Sequence, residues 1–194
     1  MKIFCVSLGR NATQSFHEFM IQQGFTSTHF YDFEQIPLGS FTEDADGIEK
    51  HFDSLEYSDA HVDIPTCLIF DRMYNRFPKA KFINITRPLD AWLASMKKMN
   101  KNMGHEHEPY IFEEAYCNFY LNTGKKKIQD LSEYELTEIR ERHLQKISNF
   151  FNGKDNYLEV SLTDPEIGTK IREFIGGRRS IPFPSVDTFR GERA

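Results

Sequence analysis

Near the start of the chain, an apolar run leads directly into the polar turn Leu8-Gly9-Arg10-Asn11-Ala12-Thr13-Gln14-Ser15. Residues 2–7 are short and β-prone, and residues 13–23 repeat apolar side chains at helical spacing. A strand that turns directly into a helix leaves backbone N–H groups, hydroxyls and the Arg10 cation at the positive end of that helix. The segment therefore predicts an anion cradle.

The rest of the chain alternates short apolar runs with longer helical patterns, which is typical of a parallel sheet covered by helices. The predicted strands are residues 2–7, 26–31, 60–63, 81–86 and 157–162. The predicted helices are residues 13–23, 43–55, 65–77, 89–103, 109–121, 132–151 and 164–175. We expect an α/β fold of three layers, with a central, mostly parallel five-stranded sheet flanked by helices, in a single domain over residues 1–194.

Composition excludes several other classes of protein. The 194 residues include 39% hydrophobic and 27% charged side chains, which excludes collagen, low-complexity disorder and a disulfide scaffold. The net charge of -5 argues against a nucleic-acid surface, and no run reaches the roughly 18 apolar residues of a membrane span. Cys5, Cys67 and Cys117 are widely spaced, as expected for buried, reduced thiols, so we expect a cytoplasmic protein. The sequence gives no signal for an oligomeric state.

The turn differs from a Walker A loop, because the Gly-x4-Gly-Lys-Ser/Thr pattern is absent and Arg10 stands upstream in place of its lysine. A magnesium-dependent nucleotide hydrolase is therefore disfavoured. The alternative is an ordinary strand-to-helix turn in which Thr13 caps the helix and Arg10 is solvated. His105-Glu106-His107-Glu108 lacks further ligands at a recognisable spacing, so no metal site is predicted.

A second pair of polar residues follows the strand predicted at residues 81–86. Arg87 comes just after this strand, and Ser95 lies eight residues further on, at the flank of an apolar helical stripe. Together these side chains could clamp a second phosphate. The alternative is that Arg87 only ends the strand and Ser95 is a tolerated helix residue.

At these residues the chain resembles the sulfotransferases that use 3′-phosphoadenosine 5′-phosphosulfate (PAPS) on a P-loop NTPase-like fold. Four blocks carry the resemblance: the turn at residues 6–15, the segment of residues 77–95, Ser58-Asp59-Ala60-His61-Val62-Asp63-Ile64-Pro65, and residues 174–187. One departure is Asn11-Ala12, which stands where the family usually has a glycine-containing pair. The resemblance implies PAPS as sulfuryl donor, 3′-phosphoadenosine 5′-phosphate (PAP) as product, and no metal.

The resemblance also implies roles for individual residues. The donor's 5′-phosphosulfate would be held by the turn, namely Gly9, Arg10, Asn11, Ala12, Thr13, Gln14 and Ser15. Its 3′-phosphate would be held by Arg87 and Ser95, with a late basic segment containing Arg178, Arg179 and Arg190 closing on it. Arg10 would also offset charge that develops on the leaving oxygen.

An acceptor hydroxyl must lose its proton, and Asp63 at the end of a predicted strand is the first choice of base. His61 is the second choice, because its ordinary pKa suits the task and side chains two apart on a strand share a face. The alternative for Asp63 is the N-cap of the helix predicted from Pro65.

The sequence thus favours sulfuryl transfer from PAPS to a hydroxyl or amine of a small acceptor, whose pocket we expect at residues 37–46 and 100–110. Two alternatives remain open at this point. One is a nucleotide kinase-like phosphotransferase using ATP and Mg²⁺, and the other is a non-catalytic nucleotide-binding module on the same fold.

Overall fold

The computed structural model describes residues 1–29, 55–102, 117–121 and 130–185, apart from the side chains of residues 99–102 and 117–118. These residues fall into two compact units, which are described separately. The first comprises the described residues among 1–31, 54–87 and 155–194, and the second those among 88–154. The predicted helix at 43–55 and most of that at 109–121 lie outside the described residues.

The first unit is built on a five-stranded parallel sheet. Its strands are β1 (Ile3–Cys5), β2 (Ser27–His29), β3 (Ala60–Val62), β4 (Lys81–Thr86) and β5 (Tyr157–Ser161). They lie in the order β2-β3-β1-β4-β5, so β1 is central and pairs with β3 on one side and β4 on the other. The predicted α/β fold with a five-stranded sheet is confirmed.

The described helices follow the predicted pattern with shifts at their ends. They are α1 (Thr13–Gln23), α2 (Phe70–Arg76), α3 (Leu89–Asn102), α4 (Glu133–Phe151) and α5 (Ile167–Ile175). Short 3-10 and π-helical turns occupy Leu55–Tyr57 and Cys117–Leu121. The prediction for residues 65–77 was wrong at its start, because residues 63–69 form consecutive turns and the helix begins only at Phe70.

Two faces of the sheet have different cores. On one face, α1 contributes Phe16, Phe19 and Met20, and α5 contributes Ile167, Ile171 and Ile175, against inward side chains of the strands. On the other face, Phe4 lies next to the rings of His61, Phe77 and Phe82. Each fully buried large apolar side chain stabilises the fold by about 1.5–3 kcal/mol relative to an exposed one. The sheet is therefore a rigid support for the residues at its edge.

The second unit contains α3 and α4. Helix α4 buries a stripe at helical spacing: Leu136, Ile139, His143, Ile147 and Phe151. Its N-terminus has a capping box, in which the Ser132 hydroxyl accepts from the Glu135 N–H and the Glu135 carboxylate accepts from the Ser132 N–H. The Nδ1 atom of buried His143 forms a hydrogen bond of 2.6 Å with the Tyr120 hydroxyl.

Among the described residues, no helix is long and apolar enough to cross a membrane. Two of the three cysteines, Cys5 and Cys67, are buried free thiols as predicted. Burial raises the pKa of the Cys5 thiol to about 11, which keeps it protonated and unreactive. The side chain of Cys117 lies outside the described set.

Candidate functional site

Three polar segments end at the same edge of the sheet in the first unit. The turn after β1, the segment that begins at Asp63 after β3, and Arg87 after β4 all follow the carboxyl ends of neighbouring parallel strands. The chain leaves β1 toward α1 on one face and leaves β3 toward α2 on the other. Open α/β sheets bind ligands in the crevice formed where neighbouring connections diverge in this way.

The turn after β1 is closed by Asn11, whose backbone N–H and side-chain Nδ2 both donate to the Leu8 carbonyl, at 3.3 and 3.1 Å. Two residues of the turn are left-handed although neither is glycine: Arg10 has φ 68° and Ala12 has φ 61°. This conformation costs a non-glycine residue about 1–2 kcal/mol. Such local strain is found mainly where the backbone serves a ligand.

Ala12 is the N-cap of α1, and its methyl side chain makes no capping hydrogen bond. The first N–H groups of a helix lack intrahelical acceptors, and they attract anions together with the helix dipole. The alternative in which Thr13 caps the helix is wrong. Thr13 is the first residue inside the helix, and its hydroxyl donates to Asp63 Oδ2 at 2.9 Å.

Asp63 is almost fully buried, with 5% of its surface exposed, and it has a left-handed backbone with φ 73°. Its Oδ1 accepts from the Ile64 N–H at 2.9 Å, and its Oδ2 accepts from Thr13. The N-cap of α2 is Ile69, so the alternative that Asp63 caps this helix is also wrong. The carboxylate is instead fixed against the turn after β1 by its bond to Thr13, and its role as a base stays a prediction.

His61 has different surroundings from Asp63, although the two are only two residues apart. Its Nε2 donates to the carbonyls of Leu55 and Ser58, at 3.1 and 2.9 Å, and its ring is fully buried beside Phe4. Burial lowers the pKa of His61 to about 4, with the Ser58 carbonyl acting against this shift. The left-handed turn at Asp63 ends the strand alternation, so the expectation of a shared face does not apply.

The other predicted donor-binding residues are placed as follows. Gln14 donates through Nε2 to Glu18 on its own helix at 3.3 Å, and Ser15 is buried in the first turn of α1. Arg87 is half-buried, and this burial lowers the pKa of its guanidinium. Ser95 is half-buried on α3 in the second unit, so its pairing with Arg87 stays a prediction. Arg190 lies outside the described residues.

Arg179, from the late basic segment, is held at the far end of α1. Its guanidinium donates to the Gln22 carbonyl at 2.8 Å, and its N–H donates to Gln23 at 3.1 Å. Helix α1 has 11 residues and is about 16 Å long, so this contact is remote from Ala12 at the other end. The expectation that this residue closes on the 3′-phosphate stays a prediction.

Sequence reasoning missed His29, the last residue of β2. Its Nε2 lies 3.3 Å from Thr13 Oγ1 and 3.6 Å from Asp63 Oδ2. The signal was present, since a polar residue at the carboxyl end of a predicted strand is a candidate for the ligand-binding edge. The order of the strands was needed to show that β2 lies beside β3. Among the described residues, no group of three or more His, Cys, Asp or Glu is arranged to hold a metal.

Comparison with known proteins identifies the family and supports the fold. The family model of the sulfotransferase domain matches residues 2–189, and the chain therefore belongs to the sulfotransferase family. A solved structure, the sulfotransferase from Alicyclobacillus acidocaldarius, has the same fold, with a TM-score of 0.55 and 16% identity over 97% of this chain and 86% of that one.

A curated relative is the Ava biosynthesis cluster protein M of Aspergillus versicolor. It is 27% identical over 109 residues, which cover 50% of this chain and 42% of the relative. The chain thus matches less than half the length of this relative.

Proposed function

We propose that this protein is a PAPS-dependent sulfotransferase that acts on a hydroxyl or amine of a small acceptor. Family membership supports sulfuryl transfer as the reaction class. The observation that carries the assignment to this site is the Thr13–Asp63 hydrogen bond of 2.9 Å, since it holds a buried carboxylate against the anion-binding turn. A base and a leaving-group cradle are the two things that in-line sulfuryl transfer requires of the protein.

The donor set fits the phosphosulfate and the 3′-phosphate of PAPS. The N-terminus of α1 presents backbone N–H groups, and Arg10 adds a guanidinium in the same turn. Arg87, after the neighbouring strand β4, supplies a second, partly desolvated cation at the same edge. A desolvated guanidinium forms stronger charge-assisted bonds to phosphate than a solvated one.

PAPS supplies an activated sulfuryl group whose bond to the 5′-phosphate oxygen breaks as a new bond to the acceptor forms. Arg10 and the N–H groups of the turn offset the negative charge left on that phosphate. Asp63 accepts the proton that the acceptor loses, and PAP leaves as the product. His61 has no part in this scheme, because its Nε2 is bound to two backbone carbonyls.

The proposal is tested first by ligand preference. Thermal unfolding is followed with PAP, with adenosine 5′-monophosphate, and with ATP plus Mg²⁺. A ligand at a hundred times its dissociation constant stabilises the fold by about 2.7 kcal/mol. We expect PAP to stabilise most, and a stronger effect of ATP with Mg²⁺ would favour the kinase-like alternative.

Three arginine variants sharpen this test. Arg10→Ala is expected to weaken binding of both PAP and the monophosphate, by about 10- to 150-fold for the loss of one charge-assisted bond. Arg87→Ala is expected to weaken PAP alone, because the monophosphate lacks the 3′-phosphate. Arg72→Ala, on the exposed side of α2, is the matched control and should change neither affinity. Equal effects of Arg87→Ala on both nucleotides would overturn its assignment.

Transfer of ³⁵S-labelled sulfate from PAPS to a panel of small alcohols, phenols and amines then separates an enzyme from a non-catalytic module. A protein that binds PAP tightly but transfers no label to any member of the panel would contradict the proposed catalysis. Arg10→Ala serves as the low-activity reference in the same assay.

A further inference from the structure

His29 lies beside the hydrogen bond that joins Thr13 to Asp63. In the register of the sheet His29 on β2 pairs with Val62 on β3, and Asp63 is the residue that follows Val62. Its Nε2 lies 3.3 Å from Thr13 Oγ1 and 3.6 Å from Asp63 Oδ2. All three side chains are buried or half-buried. Asp63, the proposed base, is therefore in contact with Thr13 of α1 and close to His29 of β2.

The positions of the protons follow from the chemistry of these groups. The Thr13 hydroxyl has one proton, and it is donated to Asp63. The Thr13 oxygen and the Asp63 carboxylate can then only accept hydrogen bonds. A favourable contact with His29 therefore requires that its Nε2 carries a proton.

A second histidine ring lies next to that of His29. His17 on α1 lies with its ring centroid 5.7 Å from that of His29, and His17 Nδ1 bonds the Ser27 hydroxyl at 2.9 Å. Burial lowers the pKa of His29, and the charge of Asp63 acts in the opposite direction. A neutral imidazole has a single N–H, and in the Nε2–H tautomer of His29 this N–H would lie toward Thr13 and Asp63.

We propose that His29 is a positioning residue for sulfuryl transfer, whose Nε2–H keeps the Asp63 carboxylate oriented when the donor occupies the anion-binding turn. This inference rests on the proposed function. The Thr13 proton cannot be given to Asp63 and to a bound anion at the same time, so an anion that draws this proton leaves Asp63 Oδ2 without it. His29 Nε2–H, 3.6 Å away, is placed to take over that bond.

The first test is a measurement on the wild-type protein without ligand. Long-range ¹H–¹⁵N correlation spectra of ¹⁵N-labelled protein at pH 7.5 distinguish the two neutral tautomers of each histidine. The His29 signal is assigned as the one missing from the His29→Gln variant. We expect the Nε2–H tautomer, and a neutral Nδ1–H tautomer would overturn the inference whether or not the protein transfers sulfate.

The second test uses a matched pair of variants. Glutamine can place an amide N–H near the position of His Nε2, whereas leucine cannot donate a hydrogen bond. We expect His29→Leu to lower kcat about 10- to 100-fold, with a change in the KM for PAPS of less than about threefold. His29→Gln should recover kcat to within about fivefold of the wild type. Circular dichroism and thermal unfolding confirm that both variants fold.

The outcomes separate this inference from the proposed function. Full kcat in folded His29→Leu, or equal losses in both variants, would overturn the role of the His29 N–H while leaving sulfotransfer intact. A wild-type protein that neither binds PAP nor transfers label would overturn the proposed function. The tautomer measurement then still decides whether His29 donates to the Thr13–Asp63 pair.

Discussion

Asp63 and His61 come from the same short segment, yet the protein uses them in two different regions. His61 is on β3, and its N–H is bound by carbonyls of the turn at residues 55–58, which the Lys2 ammonium also contacts. Asp63 follows the strand and is bound by side chains and backbone at the edge of the sheet. The Nε2 of His61 is bound by main-chain carbonyls, whereas Asp63 has a left-handed backbone and is bound by the Thr13 hydroxyl and the Ile64 N–H.

The difference indicates how to separate a structural polar residue from a functional one. Both residues are buried, and burial of a polar group is costly unless it is hydrogen-bonded. At His61 the partners are backbone atoms of a neighbouring turn, which a ligand would not displace. At Asp63 the partner is a hydroxyl that can give its proton elsewhere, and the strained backbone at Asp63, Arg10 and Ala12 is held in place by the surrounding core.

We expect the largest effect on kcat from a substitution at Asp63. Asp63→Asn keeps the size of the side chain and one accepting oxygen but removes its basicity. Loss of a general base lowers the rate by about 10²- to 10⁴-fold. We therefore expect kcat for labelled sulfate transfer to fall in this range, with PAP affinity within about threefold of wild type, which is less than the cost of one charge-assisted bond.

His61→Gln is the matched variant two residues earlier. Its kcat, measured under conditions where it is folded, should remain within about fivefold of wild type, because no catalytic contact is removed. If the losses were reversed, with His61→Gln inactive and Asp63→Asn active, the assignment of the two regions would be wrong.

The second prediction concerns acid stability and the region of His61. Its folded pKa is about 4, below the ordinary value near 6.5, so the unfolded chain binds the proton first as the pH falls. Neutral, buried His61 therefore contributes to the free energy of unfolding above about pH 6.5. This contribution is lost as the pH falls toward 4, and it is at most about 3 kcal/mol. Urea denaturation at several pH values measures this slope.

His17 and His29 also have a pKa lowered by burial, so they add slopes of the same sign. Comparing wild type with His61→Gln isolates the part of the pH dependence that is due to His61. The variant should lose less free energy of unfolding than wild type between pH 7 and 5. An identical slope in both proteins would mean that His61 can be protonated in the folded state.

The sequence predicted the sheet, the strand-to-helix turn and the position of Asp63 at the end of a strand, because these depend on local signals. Apolar runs mark strands at residues 2–7 and 81–86, and a polar turn between a strand and a helix marks an anion site. The bonding of His61 to backbone carbonyls was not predictable from the sequence. One of these carbonyls belongs to the 3-10 turn at Leu55–Tyr57, and a backbone carbonyl carries no sequence signal. His29 was missed because its role depends on the pairing of β2 with β3.

The start of α2 shows the same limit of local signals. Residues 65–77 have a helical pattern with proline at a suitable first position, which predicted a helix from Pro65. In the structure the left-handed Asp63 and the buried turns at residues 64–69 take precedence, and the helix begins at Phe70. Tertiary packing thus overrides local propensity at the residues that place the carboxylate.

A smaller effect is expected when the link between the two segments of the site is removed. Thr13→Val keeps the branched shape but leaves Asp63 Oδ2 without its 2.9 Å donor. Loss of a partner from a buried charged acceptor costs about 1–3 kcal/mol. Thr169→Val, at an exposed position of α5, should change the unfolding free energy by less than about 0.5 kcal/mol. Equal stability of both variants without ligand would mean either that the Thr13–Asp63 bond is absent or that His29 Nε2–H replaces it.

The smallest expected effect tests the left-handed turn. Its readout is the opposite sign of the change in unfolding free energy for glycine substitutions at Ala12 and at Ala94. Ala12 has φ 61° and ψ 33°, where glycine avoids a cost of about 1–2 kcal/mol but adds about 0.4–1 kcal/mol of freedom to the unfolded chain. Ala12→Gly should therefore stabilise the protein by about 0.5–1 kcal/mol. Ala94→Gly, on the exposed side of α3, should destabilise it by about 1 kcal/mol, because that backbone is helical. If both variants lost stability equally in urea denaturation, Ala12 would not be left-handed, and the turn would present its N–H groups along a different path.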